Sequence, residues 1–363
     1  MPNANKKKIC IVASSLGRGG AERSSALLSI MLSDLGYEVY IITVLDYLDY
    51  DYKGTLLNLG VIKKQNDTFF GRINRLRIFK KFLETNKIDY VIDGRTRIHA
   101  YQEFIVSKFI YKMPVTYVIH NHKTEKAFTA YNWLNKNLYK NKTMVAVSKA
   151  AEEKFRELFQ LKNIVTIYNG FDFDSIESKA NEDVELNIGK YIIFYGRLDD
   201  EHKNLKLLFS AYKLSNLPEK EVKLLILGNG PDEIVLKQYV KELELRDSIV
   251  FQGFEKNPYP FVKQSLFMLL SSRYEGFPMV IPEALSLEVP VISVNCESGP
   301  NEVIVNEHNG LLVENHKPEV LAKAMNRLYE EKDLYLHCKS NAKMSVAQFS
   351  KAKIAEQWQS LLK

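Results

Sequence analysis

With 363 residues the chain exceeds one typical domain and suits two, each able to bury a core of its own. A hydrophobic share of 46% beside 26% charged residues excludes a disordered or fibrous chain. No apolar run approaches the ~20 residues of a membrane-spanning helix, and the run after Lys6, Lys7 and Lys8 breaks at Ser14, too early for a secretory signal, so a cytoplasmic protein is expected. The net charge of +6 is unevenly spread: residues 1–168 carry 27 Lys and Arg against 15 Asp and Glu, and residues 169–363 carry 23 against 29. That asymmetry points to an anionic partner for the first half, whether a membrane surface, a phosphorylated acceptor or nucleic acid. Cys10, Cys296 and Cys338 are odd in number and lack metal-ligand spacing, so they read as reduced bystanders.

Lys8 to Ser14 predicts a buried first strand, SLGRGGAER a glycine-rich turn, and Ala21 to Leu35 a helix stopped by Gly36. Glu38 to Val44 follows as a second strand. Gly17 and Gly19 after a strand, with Asp46 after the next, supply two parts of a dinucleotide fingerprint, but Glu22 stands where its third glycine belongs. Residues 70–87 form an amphipathic helix with Ile73, Leu76, Phe79, Phe82 and Leu83 among Arg72, Arg75, Arg77, Lys80 and Lys81. It either packs on the sheet, the favoured reading, or lies on an anionic membrane. Asp89 to Asp93 is the next strand, and Arg95 and Arg97 past its carboxyl end are candidates for an anionic acceptor. Val115 to Ile119 delivers His120, Asn121 and His122; a lone histidine is more often structural. Strands at 144–147 and 164–167 complete the βα alternation of a parallel sheet.

A second series begins with Tyr191 to Gly196, followed by GRLDDEHKN. Leu224 to Leu227 ends in Gly228, Asn229, Gly230 and Pro231, and Ile249 to Phe251 leads into Gly253 and Phe254. Leu266 to Leu270 reads as a strand buried on both faces, and SSRYEGFPMVIPE turns it into a helix. Pro278 suits the first helical turn, whose free N–H groups make an anion site. Glu275 and Glu283 flank that turn. Two carboxylates beside a positive helix end can take sugar hydroxyls while the helix end holds phosphate. Residues 318–330 and 351–362 are helical.

The motif EGFPxxxxE, with VPVISV, SGPNEVI and NGLLV behind it, resembles the retaining nucleotide-sugar glycosyltransferases of family 4, also called glycosyl transferases group 1. The resemblance implies the α/β GT-B fold, two Rossmann-like domains with parallel sheets facing across a cleft. The boundaries it suggests are 1–170, with about 346–363 packing back, for the acceptor side, and 171–345 for the donor side. It also implies roles for single residues. Glu275 would contact the donor sugar and Glu283 the ribose. Arg197 and Lys203 would grip the diphosphate, with one residue more between them than is usual, so that either the loop bulges or Lys206 takes the place of Lys203. His120, or His122 in the alternative register, would face the donor sugar. Gly19, Gly20, Gly228, Asn229, Gly253, Phe254, Gly276, Phe277 and Pro278 would approach the donor with backbone.

The function expected is retaining transfer from a nucleoside diphosphate sugar, a UDP-sugar, to a saccharide or lipid-linked glycan in bacterial surface polysaccharide assembly. The acceptor would be met at the cytoplasmic membrane face, and no cofactor or metal is expected. Asp49-Tyr50-Asp51 and Asp172-Phe173-Asp174 fit the metal-binding D-x-D string only formally, since neither follows an apolar strand in a nucleotide domain. Two other classes compete. An oxidoreductase needs the fingerprint that Glu22 breaks, and a non-catalytic binder of nucleic acid or another anion needs aromatics among the basic residues of an exposed sheet, which are not evident.

Overall fold

A computed structural model describes residues 6–314 and 317–363. The chain divides into two compact units, Met1–Gly170 with Lys351–Lys363, and Phe171–Ser350.

The first unit is built on seven strands: β1 (Lys8–Ala13), β2 (Glu38–Thr43), β3 (Thr55–Asn58), β4 (Tyr90–Asp93), β5 (Val115–Ile119), β6 (Thr143–Ala146) and β7 (Asn163–Thr166). They pair in parallel in the order β3-β2-β1-β4-β5-β6-β7. Parallel neighbours need helical crossovers that cover both faces, which is why β5 is buried at every position and reads as an unbroken apolar run. The helix Lys149–Phe159 shows how sequence sets one crossover. Ser148 caps it by accepting from the Ala151 N–H, and Ala151, Phe155 and Phe159 recur every four residues on its buried face. Phe155 and Phe159 lie 4.9 Å and 4.8 Å from the Phe128 ring, and burying each contributes about 1.5–3 kcal/mol. The C-terminal helix Lys351–Leu362 buries Ile354, Ala355, Trp358 and Leu362 in this unit. Residues 346–350 stay with the second unit, where the buried Phe349 ring packs 5.3 Å from Phe277.

The second unit repeats the plan with β8 (Tyr191–Tyr195), β9 (Lys223–Leu227), β10 (Ile249–Gly253), β11 (Met268–Leu270), β12 (Val291–Val294) and β13 (Gly310–Val313), in the order β10-β9-β8-β11-β12-β13, all parallel. Strand order therefore reverses between β1 and β4 in one unit and between β8 and β11 in the other. Such a switch point opens a crevice beyond the strands' carboxyl ends, where ligands of α/β sheets bind. Both α/β units are thus Rossmann-like, as expected.

The basic helix, observed at Phe69–Thr85, has Phe79 and Leu83 buried, with Leu76 and Phe82 packed against the same core, so its apolar face belongs to the sheet. All three cysteines are buried and free, and burial raises each thiol, that of Cys338 to about 11.

Candidate active site

The switch point of the second unit brings together the loops after β8 and β11. After β8 the backbone turns at Gly196, and Arg197 extends a side chain that is two-thirds exposed, its nearest acid being Asp199 at 4.0 Å. The extra residue before Lys203 is absorbed by one helical turn, Asp200–Lys203, capped by Asp199 through the His202 N–H and closed by Asn204 in the left-handed conformation. Lys203 then reaches the β11 loop, its Nζ donating to Glu275 Oε1 at 2.6 Å. Lys206 instead lies over the Tyr239 ring, 5.5 Å from its centroid, away from Glu275.

Glu275 is 6% exposed. Burial alone would raise its pKa, but Lys203 and His202, whose Nε2 lies 3.7 Å from Oε2, outweigh that and hold the carboxyl well below the usual range. His202 was not foreseen. Its ring stacks on Tyr274 at 4.5 Å and its Nε2 meets the Tyr274 carbonyl at 2.8 Å. Only its place beside the motif lysine, in a loop that must fold toward β11, hinted at it.

Glu283 lies on the helix Val280–Ser286 and is 1% exposed, with the Tyr195 hydroxyl 3.0 Å from Oε2. That helix starts two residues later than expected and is one short element, so Pro278 sits ahead of it in the loop and the anion site read into its first turn is withdrawn. The Phe277 ring is buried between Phe171 and Phe349, so only its backbone is left for the approach to the donor expected of it. The EGFP loop is held by its neighbour. Ser298 Oγ donates to the Gly276 carbonyl at 3.1 Å, and a Cβ on Gly299 would meet Pro278 Cδ at 2.4 Å.

The remaining glycines serve loop against loop. Gly228 has φ +138, and a Cβ there would come 2.0 Å from the Gly196 carbonyl oxygen, while the Gly228 N–H donates to Gly253 O. Gly253 has φ +89, Asn229 is exposed, and Phe254 is 68% exposed.

In the first unit, Gly19 is the N-cap and Gly20 the first residue of the helix Gly20–Asp34. The positive φ expected of a glycine in this turn falls on Arg18, at 69°, whereas Gly19 is extended and a Cβ on it would strike the Glu22 carboxylate at 2.3 Å. His120 follows β5, and both of its ring nitrogens are buried without a hydrogen-bond partner. Burial, and then the nearby Arg97 charge, lower its pKa to about 4. It lines a cavity of about 20 Å³, room for one water, with Ser24, Ser25, Gly94 and Asn169. His122 is 8% exposed, and its carbonyl accepts from Lys154 Nζ.

The acceptor role expected of Arg95 and Arg97 is not supported. Arg95 forms a two-point pair with Asp93, at 3.0 and 2.7 Å, and lies 3.4 Å from Glu103. Arg97 is 1% exposed, between the Tyr117 and Phe128 rings, and donates to the Arg95 and Val118 carbonyls. Neither guanidinium is turned out to meet an anion. Arg95 neutralises buried acids, Arg97 holds backbone carbonyls, and both brace the loop after β4.

Comparison with known proteins agrees with this fold. The pattern described as Glycosyltransferase Family 4 matches residues 18–175, and that of Glycosyl transferases group 1 matches residues 177–345. The chain is 29% identical, over 96% of its length and 97% of the relative's, to the N-acetylgalactosamine-N,N'-diacetylbacillosaminyl-diphospho-undecaprenol 4-alpha-N-acetylgalactosaminyltransferase of Campylobacter jejuni. Its fold superposes on a TarM mutant from S. aureus, crystallised with fondaparinux, alpha-GlcNAc-glycerol and UDP, with a TM-score of 0.78 over 98% of this chain and 100% of that one at 16% identity. It likewise superposes on Anabaena HepE in complex with UDP, with a TM-score of 0.76 over 98% and 99% of the two chains at 19% identity. Two parallel Rossmann-like sheets and two family patterns that together run through both units lead to one conclusion: the chain belongs to the group 1 glycosyltransferases of the GT-B fold.

Proposed function

We propose that the protein transfers a sugar from a UDP-sugar to a hydroxyl of a lipid-diphosphate-linked saccharide, with retention at the anomeric carbon and without a metal. The observation that carries this reading is the pair of buried carboxylates at one switch point, Glu275 against Lys203 and Glu283 against Tyr195. A buried carboxylate can accept two hydrogen bonds from the ribose diol, a role that fits Glu283. Glu275, kept ionised by Lys203 and His202, can hold hydroxyls of the sugar. Arg197, two-thirds exposed and 4.0 Å from the partly buried Asp199, is available to the diphosphate with Lys203 beside it. Charge grows on that diphosphate as the glycosidic bond breaks, and cations already in place stabilise the transition state more than the ground state. The departing phosphate oxygen can take the acceptor's proton on the same face, so no protein nucleophile is needed. His120, neutral at pH 7, can offer one N–H to a sugar hydroxyl.

The UDP donor is supported by the two superposed proteins crystallised with UDP, and the lipid-linked acceptor by the C. jejuni relative. A cytoplasmic site of action, peripheral at the membrane, goes with such an acceptor. Assay of purified protein with a panel of labelled UDP- and GDP-sugars and a polyprenyl-diphosphate saccharide, with and without EDTA, tests the reading, and NMR of the product's anomeric proton reports the stereochemistry. Turnover that needs a UDP-sugar, survives EDTA and gives an α-product from an α-donor is expected. Loss of activity in EDTA overturns metal independence, and inverted product overturns the mechanism.

A further inference from the structure

On the second unit, behind the loop segments that place Lys203 and Glu275, lies an open depression of about 260 Å³ lined by Asn204, Lys206, Ser210, Tyr239, Arg273 and Pro318 among others. None of its described lining residues is acidic. Two cations from distant parts of the chain share it. The Lys206 ammonium lies over the Tyr239 ring, whose hydroxyl is 2.9 Å from Ser210 Oγ, and the Arg273 side chain is exposed. Neither cation has an acidic partner within 4.0 Å among the described residues, in a unit that carries an excess of acids. Asn204, 4% exposed, also lines it at the start of the ten-residue helix Leu205–Leu214, where the Lys206 N–H donates to the Asp200 carboxylate at 2.9 Å.

We infer that this depression is a second anion site, built for a phosphate or diphosphate group of a small soluble ligand and separate from the donor subsite. A guanidinium and an ammonium without acidic partners, an amide and two hydroxyls match phosphate oxygens, with Tyr239, Leu207 and Pro318 as apolar walls. The volume suits pyrophosphate or a sugar phosphate and is small for a whole nucleotide sugar. The site is mechanically tied to the donor loops. The Arg273 N–H donates to the His202 carbonyl at 2.9 Å, Ser271 Oγ donates to the Lys203 carbonyl at 2.7 Å, and Asn204 directly follows Lys203. An anion drawing Arg273 and Asn204 together therefore shifts the segments that hold the Lys203–Glu275 pair, and the two sites are coupled. This coupling, unlike the binding itself, rests on the donor reading given above.

Calorimetric titration with inorganic pyrophosphate tests both parts. With UDP saturating, so that the donor's own diphosphate position is filled, the wild type is expected to take up one further pyrophosphate. Lys206→Ala/Arg273→Ala, two surface changes, should bind it at least tenfold more weakly while keeping the wild-type melting temperature. Pyrophosphate should also change the affinity for UDP several-fold in the wild type and leave the double variant unmoved. Equal uptake by the two proteins, or none once UDP is present, overturns the site, and uptake with unchanged UDP affinity overturns the coupling. If UDP does not bind the wild type at all, the donor reading fails by itself. The pyrophosphate comparison run without UDP then still decides the pocket.

Discussion

Glu275 and Glu283 are eight residues apart and both buried, yet they are stabilised in different ways, and that difference predicts different phenotypes. Glu283 has the neutral Tyr195 hydroxyl 3.0 Å from Oε2, and its proposed ligand partner is the ribose diol. Glu283→Ala is expected to weaken UDP binding by about 1.5–3 kcal/mol, the worth of one charged hydrogen-bond partner, that is roughly ten- to hundredfold. Glu275→Ala is expected to leave UDP affinity within a few-fold and to cut kcat, because its proposed partner is the sugar. Fluorescence or calorimetric titration with UDP separates them, and UDP binding as tight in Glu283→Ala as in wild type would remove the ribose assignment. His120 makes a prediction about pH. Its folded pKa of about 4 lies below the unfolded value of roughly 6.5. The unfolded chain therefore takes up the proton first on acidification, and the stability of the neutral buried ring is lost as pH falls from about 6.5 to 4, by up to about 3 kcal/mol. His120→Asn should melt with a shallower pH dependence in that window. An identical slope would show the ring to be solvated. Motif spacing made the acids and Lys203 legible, but Arg95 and Arg97 misled, because position at a strand end says where a side chain starts and not which acid claims it. Asp93 and Glu103, the acids that claim Arg95, were in plain sight at short spacing and went unread, as were the carbonyls that hold Arg97.

At the scale of elements, apolar runs disclosed the buried strands β1, β2, β4 to β6, β8, β9, β11 and β12 because parallel strands covered on both faces leave no polar alternation. The edge strand β3 was missed: it is only half-buried and sits among polar residues, so nothing in its composition separates it from a loop. The start of the helix at Val280 was misplaced by two residues because Pro278 is equally at home in the preceding loop. Glycines in the loops were read as room for a ligand, whereas Gly228 is needed first by the Gly196 carbonyl behind it. Gly228→Ala combines that clash with a φ of +138° and should destabilise the second unit by about 2–4 kcal/mol, several degrees in its melting transition. Gly253→Ala shares the unfavourable φ, at +89°, but a Cβ there meets nothing within 4 Å, so about 1 kcal/mol is expected. Equal melting of the two variants would mean that backbone conformation, and not the contact between loops, decides the cost.

At the scale of the whole molecule, the opposite charges of the two halves were visible from the sequence alone, but the means by which the basic half would engage a membrane were not. No helix among the described residues is long and apolar enough to cross a bilayer. The amphipathic helix that first suggested membrane contact turns its apolar face to its own sheet, leaving only Phe69 and Phe70 at its start exposed, at 62% and 78%. Tyr101, Phe109 and Trp133 in the same unit are also more than half exposed, near Lys108, Lys112 and Lys136 in the chain. Aromatic rings favour the headgroup level, where one edge is apolar and the other wet, and each basic residue near an anionic surface adds about 1 kcal/mol. Attachment is therefore expected to be peripheral, to need anionic lipid and to weaken with salt, since charges beyond a Debye length of about 8 Å are screened at physiological ionic strength. Co-sedimentation with phosphatidylglycerol vesicles at low salt should carry down most of the protein, neutral phosphatidylcholine vesicles or high salt should release it, and Phe70→Ala/Trp133→Ala should lower binding without moving the melting temperature. Equal, negligible binding to both vesicle types would leave the charge asymmetry as a matter of solubility, and full binding by the aromatic variant would assign attachment to charge alone.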